Sequence, residues 1–123
     1  INNKIDILLK KLTEYIPKKP KASILHGDLW EGNILFKDQN FIGFIDPGTF
    51  YGHNELEIAY LTWFNPNFIK NGFIDKYNDF IKIDKEYPKY EKIYQLYYSL
   101  LNVYLWDRQY IQNVKRLLSK IKV

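Results

Sequence analysis

The chain has no cysteine and no methionine among its 123 residues. Without thiols it forms neither disulfides nor thiolate metal sites, which favours an intracellular, cytoplasmic location. The lack of any methionine, including a first one, predicts a fragment of a longer protein. No apolar run approaches the roughly 20 residues that cross a membrane, and the N-terminus lacks the pattern of a signal peptide. We therefore expect no membrane partner.

A strongly basic region is also missing. The 18 Lys and Arg residues outnumber the 14 Asp and Glu residues only slightly, for a net charge of +4, and most of the cations are dispersed lysines. Dispersed lysine is typical of a solvated surface, whereas a nucleic-acid binder carries a clustered basic stripe. We expect no nucleic-acid partner. Hydrophobic residues make up 46% and aromatic residues 18%, enough for a compact core built on aromatic rings.

Apolar spacing predicts a mostly α protein with a small β-hairpin insert. The expected hairpin has strands at 33–37 and 40–45, joined by a turn at Asp38 and Gln39, and a short buried strand precedes it at 22–26. Residues 47–54 read as a loop, with Asn54 as the cap of the next helix. The predicted helices cover 5–16, 55–64, 67–83, a long stretch from Pro88 to about 105, and 111–121. In the long helix, the predicted apolar face comprises Ile93, Tyr97, Leu100, Leu101, Tyr104 and Leu105.

Three oxygen-bearing side chains are expected to meet at the open end of this hairpin. With the turn at Asp38 and Gln39, Asn33 falls opposite about Phe44, and Asp46 follows the second strand. Paired strands lie about 4.8 Å apart, so Asn33 and Asp46 are predicted neighbours. Asp28 lies five residues earlier, on the segment that enters the hairpin.

Such a group suits metal-assisted phosphoryl transfer. A carboxylate and an amide oxygen can bind Mg²⁺, and a second carboxylate can accept the proton of an attacking hydroxyl. Structural alternatives exist for each residue: Asp28 with Glu31 fits a capping box, Asp46 begins a common turn sequence, and Asn33 can fix the start of the hairpin. A chance convergence of all three is the less favoured explanation.

The motif HGDLWEGN at 26–33, with FIDP at 44–47 and YGH at 51–53, resembles the fructosamine kinases. These belong to the aminoglycoside-phosphotransferase and protein-kinase-like superfamily, and the resemblance runs from about residue 23 to 64. It implies the C-terminal lobe of a protein-kinase-like fold over 1–123, with the N-lobe absent. The catalytic loop and metal-binding hairpin would lie in 22–54 and a helical remainder in 55–123.

The resemblance also implies roles for individual residues. Asp28 would be the catalytic base, and Asn33 and Asp46 would hold Mg²⁺ against the phosphates of ATP. His26 would brace the loop near Asp46, and Glu57 would hold the backbone of the catalytic loop.

Two further residues have two interpretations each. Trp30 would form a wall of the sugar pocket or fill the underside of the loop. His53 would contact the substrate or act as a hydrogen-bonded brace.

The implied activity is ATP-dependent phosphorylation of a hydroxyl on a fructosamine- or ribulosamine-type sugar amine. Pro47 departs from the protein-kinase pattern, and the sequence contains neither a Gly-rich phosphate loop nor a strand lysine. We therefore expect the isolated chain to be inactive and to expose an apolar surface that favours a homodimer. The alternatives are a kinase for an aminoglycoside or a choline-type alcohol, or a truncated, non-catalytic pseudokinase that acts as a binding module.

Overall fold

The structure, a computed structural model, describes residues 1–65, 69 and 72–122. It is mostly helical with two small antiparallel sheets, as the sequence predicts. The chain divides into two compact units, one of Pro20–Asp84 and one of Ile1–Lys19 with Lys85–Val123. The elements are α1 (Asn2–Lys10), α2 (Leu12–Tyr15), β1 (Ala22–Leu25), β2 (Ile34–Lys37), β3 (Asn40–Phe44), β4 (Phe50–His53), α3 (Asn54–Phe64), α4 (Phe73–Phe80), α5 (Tyr87–Leu105) and α6 (Ile111–Lys120).

The unit Pro20–Asp84 contains both sheets. Strand β1 pairs antiparallel with β4, with Ala22 opposite His53 and Leu25 opposite Phe50, and helix α3 packs against β1. Strand β4 corrects the prediction of a loop at 47–54, because four of those residues form backbone hydrogen bonds to β1 instead. Strand β1 itself is less buried than predicted. Leu25 is buried while Ile24 is 66% exposed, since a two-stranded ribbon covers only part of its surface.

The predicted hairpin is present with its turn at Asp38 and Gln39. Both residues have positive φ, 49° and 66°, which is the conformation of a two-residue type I′ turn. Strands β2 and β3 pair as predicted at Lys37 and Asn40, but a β-bulge follows between Leu35 and Phe36.

The bulge corrects the predicted register at the open end. It places Ile34, not Asn33, opposite Phe44, and the Asn33 carbonyl accepts a hydrogen bond from the Ile45 N–H at 3.1 Å. An extra residue in one strand shifts every later pair by one. Asn33 therefore lies one residue closer to Asp46 than the sequence predicted.

In the other unit, helices α5 and α6 pack together. Helix α5 buries a ladder of tyrosines whose rings meet edge to face: Tyr87 on Tyr90 at 5.8 Å and Tyr90 on Tyr94 at 5.3 Å between centroids. Most of the predicted face is wrong: Ile93 is buried and Leu101 half-buried, but the other four residues are exposed, with Tyr97 and Tyr104 at 48% and 86%. Helix α5 is apolar on more than one side, so spacing alone does not identify the buried side. The buried residues of α6 include Val114, Leu117 and Leu118.

Several predicted helix ends also differ. The first helix breaks at Lys11, between α1 and α2. Asn54 does not cap α3; it is the first helical residue, and its Nδ2 donates to the Tyr77 hydroxyl at 3.0 Å. Of the helix predicted at 67–83, the structure has α4, while 67, 68, 70 and 71 lie outside the described residues. Within the described part of the chain, no helix is both long enough and apolar enough to cross a membrane.

The hairpin turn provides a first test. Gln39 has a φ of 66°, which a glycine adopts without the steric cost of a Cβ atom. We expect Gln39→Gly to raise the free energy of unfolding by about 0.5–1 kcal/mol, measured by urea denaturation. The matched control, Gln39→Ala, keeps the Cβ atom and should give no gain. Equal stability of the two variants would contradict the positive-φ turn.

Candidate active site

Asp28 and Asn33 lie in direct contact. The Nδ2 atom of Asn33 donates to the Asp28 carbonyl at 2.9 Å and to its Oδ2 at 3.3 Å. Asn33 is only 4% exposed, and Asp28 is half-buried. Asp28 does not cap the short 3-10 helix Glu31–Asn33, whose N-cap residue is Trp30 and whose N-terminus has no side-chain cap. The capping-box alternative is therefore wrong.

Asp46 is connected to this site through the backbone of its chain neighbour Ile45. The Ile45 N–H donates to the Asn33 carbonyl, and the Ile45 carbonyl accepts from Nε2 of His26 at 2.8 Å. The Asp28 N–H donates to Nδ1 of His26 at 3.3 Å, so the hydrogen bonds require the Nε2–H tautomer. Asp46 has a φ of 47° and an exposed side chain. No hydrogen bond or ion pair of its carboxylate occurs among the described residues.

Gly27 allows the loop to approach the turn after Asp46. Its φ is +83°, and a Cβ atom at this position would overlap the carbonyl of Gly48. From the other side, a Cβ atom on Gly48 would lie 3.8 Å from the Cβ atom of Asp28. The segment 26–28 therefore packs directly on the segment that follows Asp46, as a shared site requires.

Helix α3 holds the start of the loop at 26–33 through the side chain of Glu57. The Glu57 carboxylate accepts the N–H groups of His26 and Gly27, at 3.2 Å from Oε2 and 2.8 Å from Oε1. These two amides lie outside any helix or strand, and Glu57 supplies their acceptors. The geometry fits the role that the resemblance implied for Glu57, a role that stays a prediction.

Two residues of the site were missed by sequence reasoning. The hydroxyl of Tyr60, one turn after Glu57, donates to Oδ1 of Asp28 at 3.3 Å. Asn65, at the end of α3, accepts from the Glu31 N–H at 2.9 Å and donates to the Leu29 carbonyl at 3.0 Å.

The sequence signal that could have identified them is their position relative to Glu57 and to the end of the helix: Tyr60 lies three residues after Glu57, and Asn65 directly follows Phe64. Residues three or four apart lie on the same side of a helix, and asparagine is common at helix ends. The loop runs alongside α3 in the same direction, over a helix rise of about 12 Å from residue 57 to 65.

Trp30 and His53 differ in how much surface they present. Trp30 is 41% exposed, and its indole lies across Gly32, where no Cβ atom interferes. The side chain of His53 is only 13% exposed, and its Nε2 lies 3.6 Å from Oε2 of the buried Glu55. The other oxygen of Glu55 accepts the Asp84 N–H at 2.6 Å.

A separate apolar cavity of about 750 Å³ lies within Pro20–Asp84. His26 and Glu57 line it, but Asp28, Asn33 and Asp46 do not, so the cavity is distinct from the contact between Asp28 and Asn33. Burial raises the pKa of Tyr77 in its wall. The hydrogen bond from Asn54 opposes this pKa shift, and the nearby carboxylates of Glu57 and Glu55 add to it.

Comparison with known proteins decides the family. The fructosamine kinase family profile matches residues 2–123. The chain belongs to the fructosamine kinase family. It is 32% identical over 118 residues to a protein of Pasteurella multocida named "Probable ketoamine kinase", covering 95% of this chain and 40% of that protein. It is also 37% identical over 86 residues to the chloroplastic protein-ribulosamine 3-kinase of Arabidopsis thaliana, covering 66% of this chain and 24% of that protein.

A solved structure of the fructosamine kinase family has the same fold. The crystal structure of a candidate fructosamine-3-kinase from Haemophilus somnus 129PT superimposes with a TM-score of 0.77 at 29% sequence identity. The match covers 97% of this chain and 41% of the crystallised chain. This chain therefore spans about two fifths of the length of the Pasteurella multocida protein and of the crystallised chain, and about a quarter of the Arabidopsis thaliana protein.

The donor atoms at the site fit a nucleotide-bound magnesium ion better than a protein-enclosed metal. Both described hydrogen bonds of the Asn33 side chain use Nδ2, which leaves Oδ1 for a cation, and Asp46 adds an exposed carboxylate. Among the described residues, no cluster of three or more His, Cys, Asp or Glu could hold a metal ion. Mg²⁺ is commonly bound by one or two protein oxygens, with phosphates and water completing the shell.

The two N–H groups held by Glu57 provide a second test. In Glu57→Gln, one carboxylate oxygen becomes an NH₂ group, so one of the two amides loses its acceptor. We expect the free energy of unfolding to fall by about 2 kcal/mol in urea denaturation. Glu31→Gln, a change at an exposed side chain, is the control and should cost less than about 0.5 kcal/mol. If both variants are equally stable, Glu57 does not hold the loop.

Proposed function

We propose that the longer protein containing this chain is an ATP-dependent kinase that phosphorylates a hydroxyl of a sugar-amine adduct of the fructosamine or ribulosamine type. Membership of the fructosamine kinase family supports this proposal. The relatives named as a ketoamine kinase and a protein-ribulosamine 3-kinase support the acceptor class.

The observation that carries the proposal is the contact between Asp28 and Asn33 at the open end of the hairpin. A carboxylate for the acceptor hydroxyl and an amide oxygen for the metal then lie side by side, and the Ile45 backbone connects them to Asp46. A purely structural loop would not need this combination.

In the proposed reaction, Asp28 orients the acceptor hydroxyl and accepts its proton. The hydroxyl oxygen forms a bond to the γ-phosphorus of ATP while the bond from that phosphorus to the bridging oxygen breaks, and ADP leaves. Asn33 and Asp46 would hold Mg²⁺, which neutralises charge on the phosphates when bound. His26 and Glu57 keep the loop in place and do not touch the reacting atoms.

For the acceptor, we propose Trp30 as the recognition surface. Its indole is partly exposed two residues after Asp28, and a flat aromatic face suits the apolar face of a sugar ring. The buried setting of His53 against Glu55 favours a bracing role over contact with the substrate.

We also propose that this chain is the C-terminal lobe of the protein and that an N-terminal lobe covers the nucleotide. A homodimer and a cytoplasmic location are further parts of the proposal. The hairpin does expose large apolar side chains that a lobe or a second copy could cover, namely Phe36, Phe41, Ile42 and Phe44.

ATP consumption by the full-length protein, measured against a panel of fructosamines, ribulosamines, aminoglycosides and choline, tests the proposal. We expect turnover with the ketosamines, and we expect Asp28→Ala to lower kcat by at least about 10³-fold because the proton acceptor is lost. Asp79→Ala, at an exposed position of α4, is the control and should retain full activity.

The same panel separates the alternatives. Turnover of aminoglycosides or choline alone would replace the proposed acceptor class. A wild-type protein without phosphotransfer would support the non-catalytic binding module, and near-normal turnover by Asp28→Ala would remove Asp28 from the mechanism.

A further inference from the structure

Tyr60 contacts Asp28, the proposed catalytic base, at the carboxylate oxygen that Asn33 does not contact. It belongs to α3, is 4% exposed, and its hydroxyl donates to Oδ1 of Asp28 at 3.3 Å. Asn33 donates to the other oxygen, Oδ2, at 3.3 Å. The two carboxylate oxygens are thus each held by a donor from a different element.

The ring of Tyr60 is itself held in place. It stacks on Phe64 with 5.3 Å between centroids and an interplanar angle of 11°, and it meets Trp63 edge to face at 6.2 Å. Phe64 lies four residues further along the same helix, so the stack forms within α3. The direction of the hydroxyl is therefore set by the helix that also carries Glu57.

Asn33 and Tyr60, the two hydrogen-bond donors to the Asp28 carboxylate, have different roles under the proposed function. Asn33 would share its side chain between Asp28 and the metal, whereas Tyr60 has no part in metal binding. A carboxylate offers about four lone-pair sites, so the bonds from Tyr60 and Asn33 leave room for the acceptor hydroxyl.

We propose that Tyr60 is a positioning residue for phosphoryl transfer, which holds the Asp28 carboxylate in the orientation that receives the acceptor hydroxyl. This inference rests on the proposed function. Without the Tyr60 hydroxyl, Oδ1 loses its donor and the carboxylate can rotate about its Cβ–Cγ bond. Misplacement of a catalytic group lowers the rate of the chemical step more than it weakens nucleotide binding.

Steady-state kinetics of Tyr60→Phe in the full-length protein provide the test. We expect kcat to fall about tenfold, the effect of one hydrogen bond to a charged group, with the KM for ATP changed less than twofold. Tyr90→Phe removes a hydroxyl from another buried tyrosine, on α5, and should leave kcat unchanged. A Tyr60→Phe kcat within twofold of the wild type would overturn the inference.

A double-mutant cycle separates positioning from packing and does not depend on catalysis. In urea unfolding of the full-length protein, Tyr60→Phe should raise the unfolding equilibrium constant about tenfold in the wild-type background. In the Asp28→Ala background it should have little effect, because the acceptor is already gone.

Additive effects in the cycle would show that Tyr60 does not act through Asp28 and would overturn the inference even if kcat fell. Failure of the wild-type protein to phosphorylate any panel compound would refute the proposed function, and with it the positioning role of Tyr60.

Discussion

The conformation of the loop at 26–33 depends on one carboxylate. The N–H groups of His26 and Gly27 lie outside regular structure in a half-buried place, and Glu57 accepts both. A buried amide without an acceptor costs about 1–3 kcal/mol, so the loss of Glu57 would favour other conformations of the loop. Because Asp28 directly follows these two amides, its position is determined by α3. Tyr60 of the same helix contacts the carboxylate, and Asn65, the residue directly after α3, contacts the peptide groups on either side of Trp30.

Local patterns were sufficient for the hairpin and its turn. Apolar segments on both sides of Asp38 and Gln39 predicted the hairpin and its turn, and pairing counted from that turn predicted that Asn33 lies near Asp46. The register was wrong by one residue, because a bulge depends on how two strands twist and not on a distinct sequence signal. The bulge places Asn33 one residue closer to Asp46 than predicted, and the grouping of the Asp46 carboxylate with Asp28 and Asn33 stays a prediction. The prediction that Mg²⁺ and ATP bind here rests on the family and on donor chemistry.

Features that depend on distant partners were not predicted. Strand β4 forms because β1 offers it a backbone ladder, and residues 50–53 alone look like part of a glycine-containing loop. On α5, several sides are apolar, and edge-to-face contacts among Tyr87, Tyr90 and Tyr94 favour one of them. The roles of Tyr60, in the predicted helix, and of Asn65, just after it, were not predicted because their partners lie more than 30 positions away in the chain. A single sequence therefore predicted the loop and hairpin that carry the proposed catalytic residues, but not Tyr60 and Asn65, which contact that loop.

Amide hydrogen exchange of His26 and Gly27 tests this account most directly, because neither amide belongs to a helix or strand ladder. If Glu57 holds the loop, both amides exchange at least about 100-fold more slowly than the amide of Gln39 at the hairpin turn, and Glu57→Ala removes that protection. Exchange of His26 and Gly27 as fast as that of Gln39 in the unaltered protein would contradict the account.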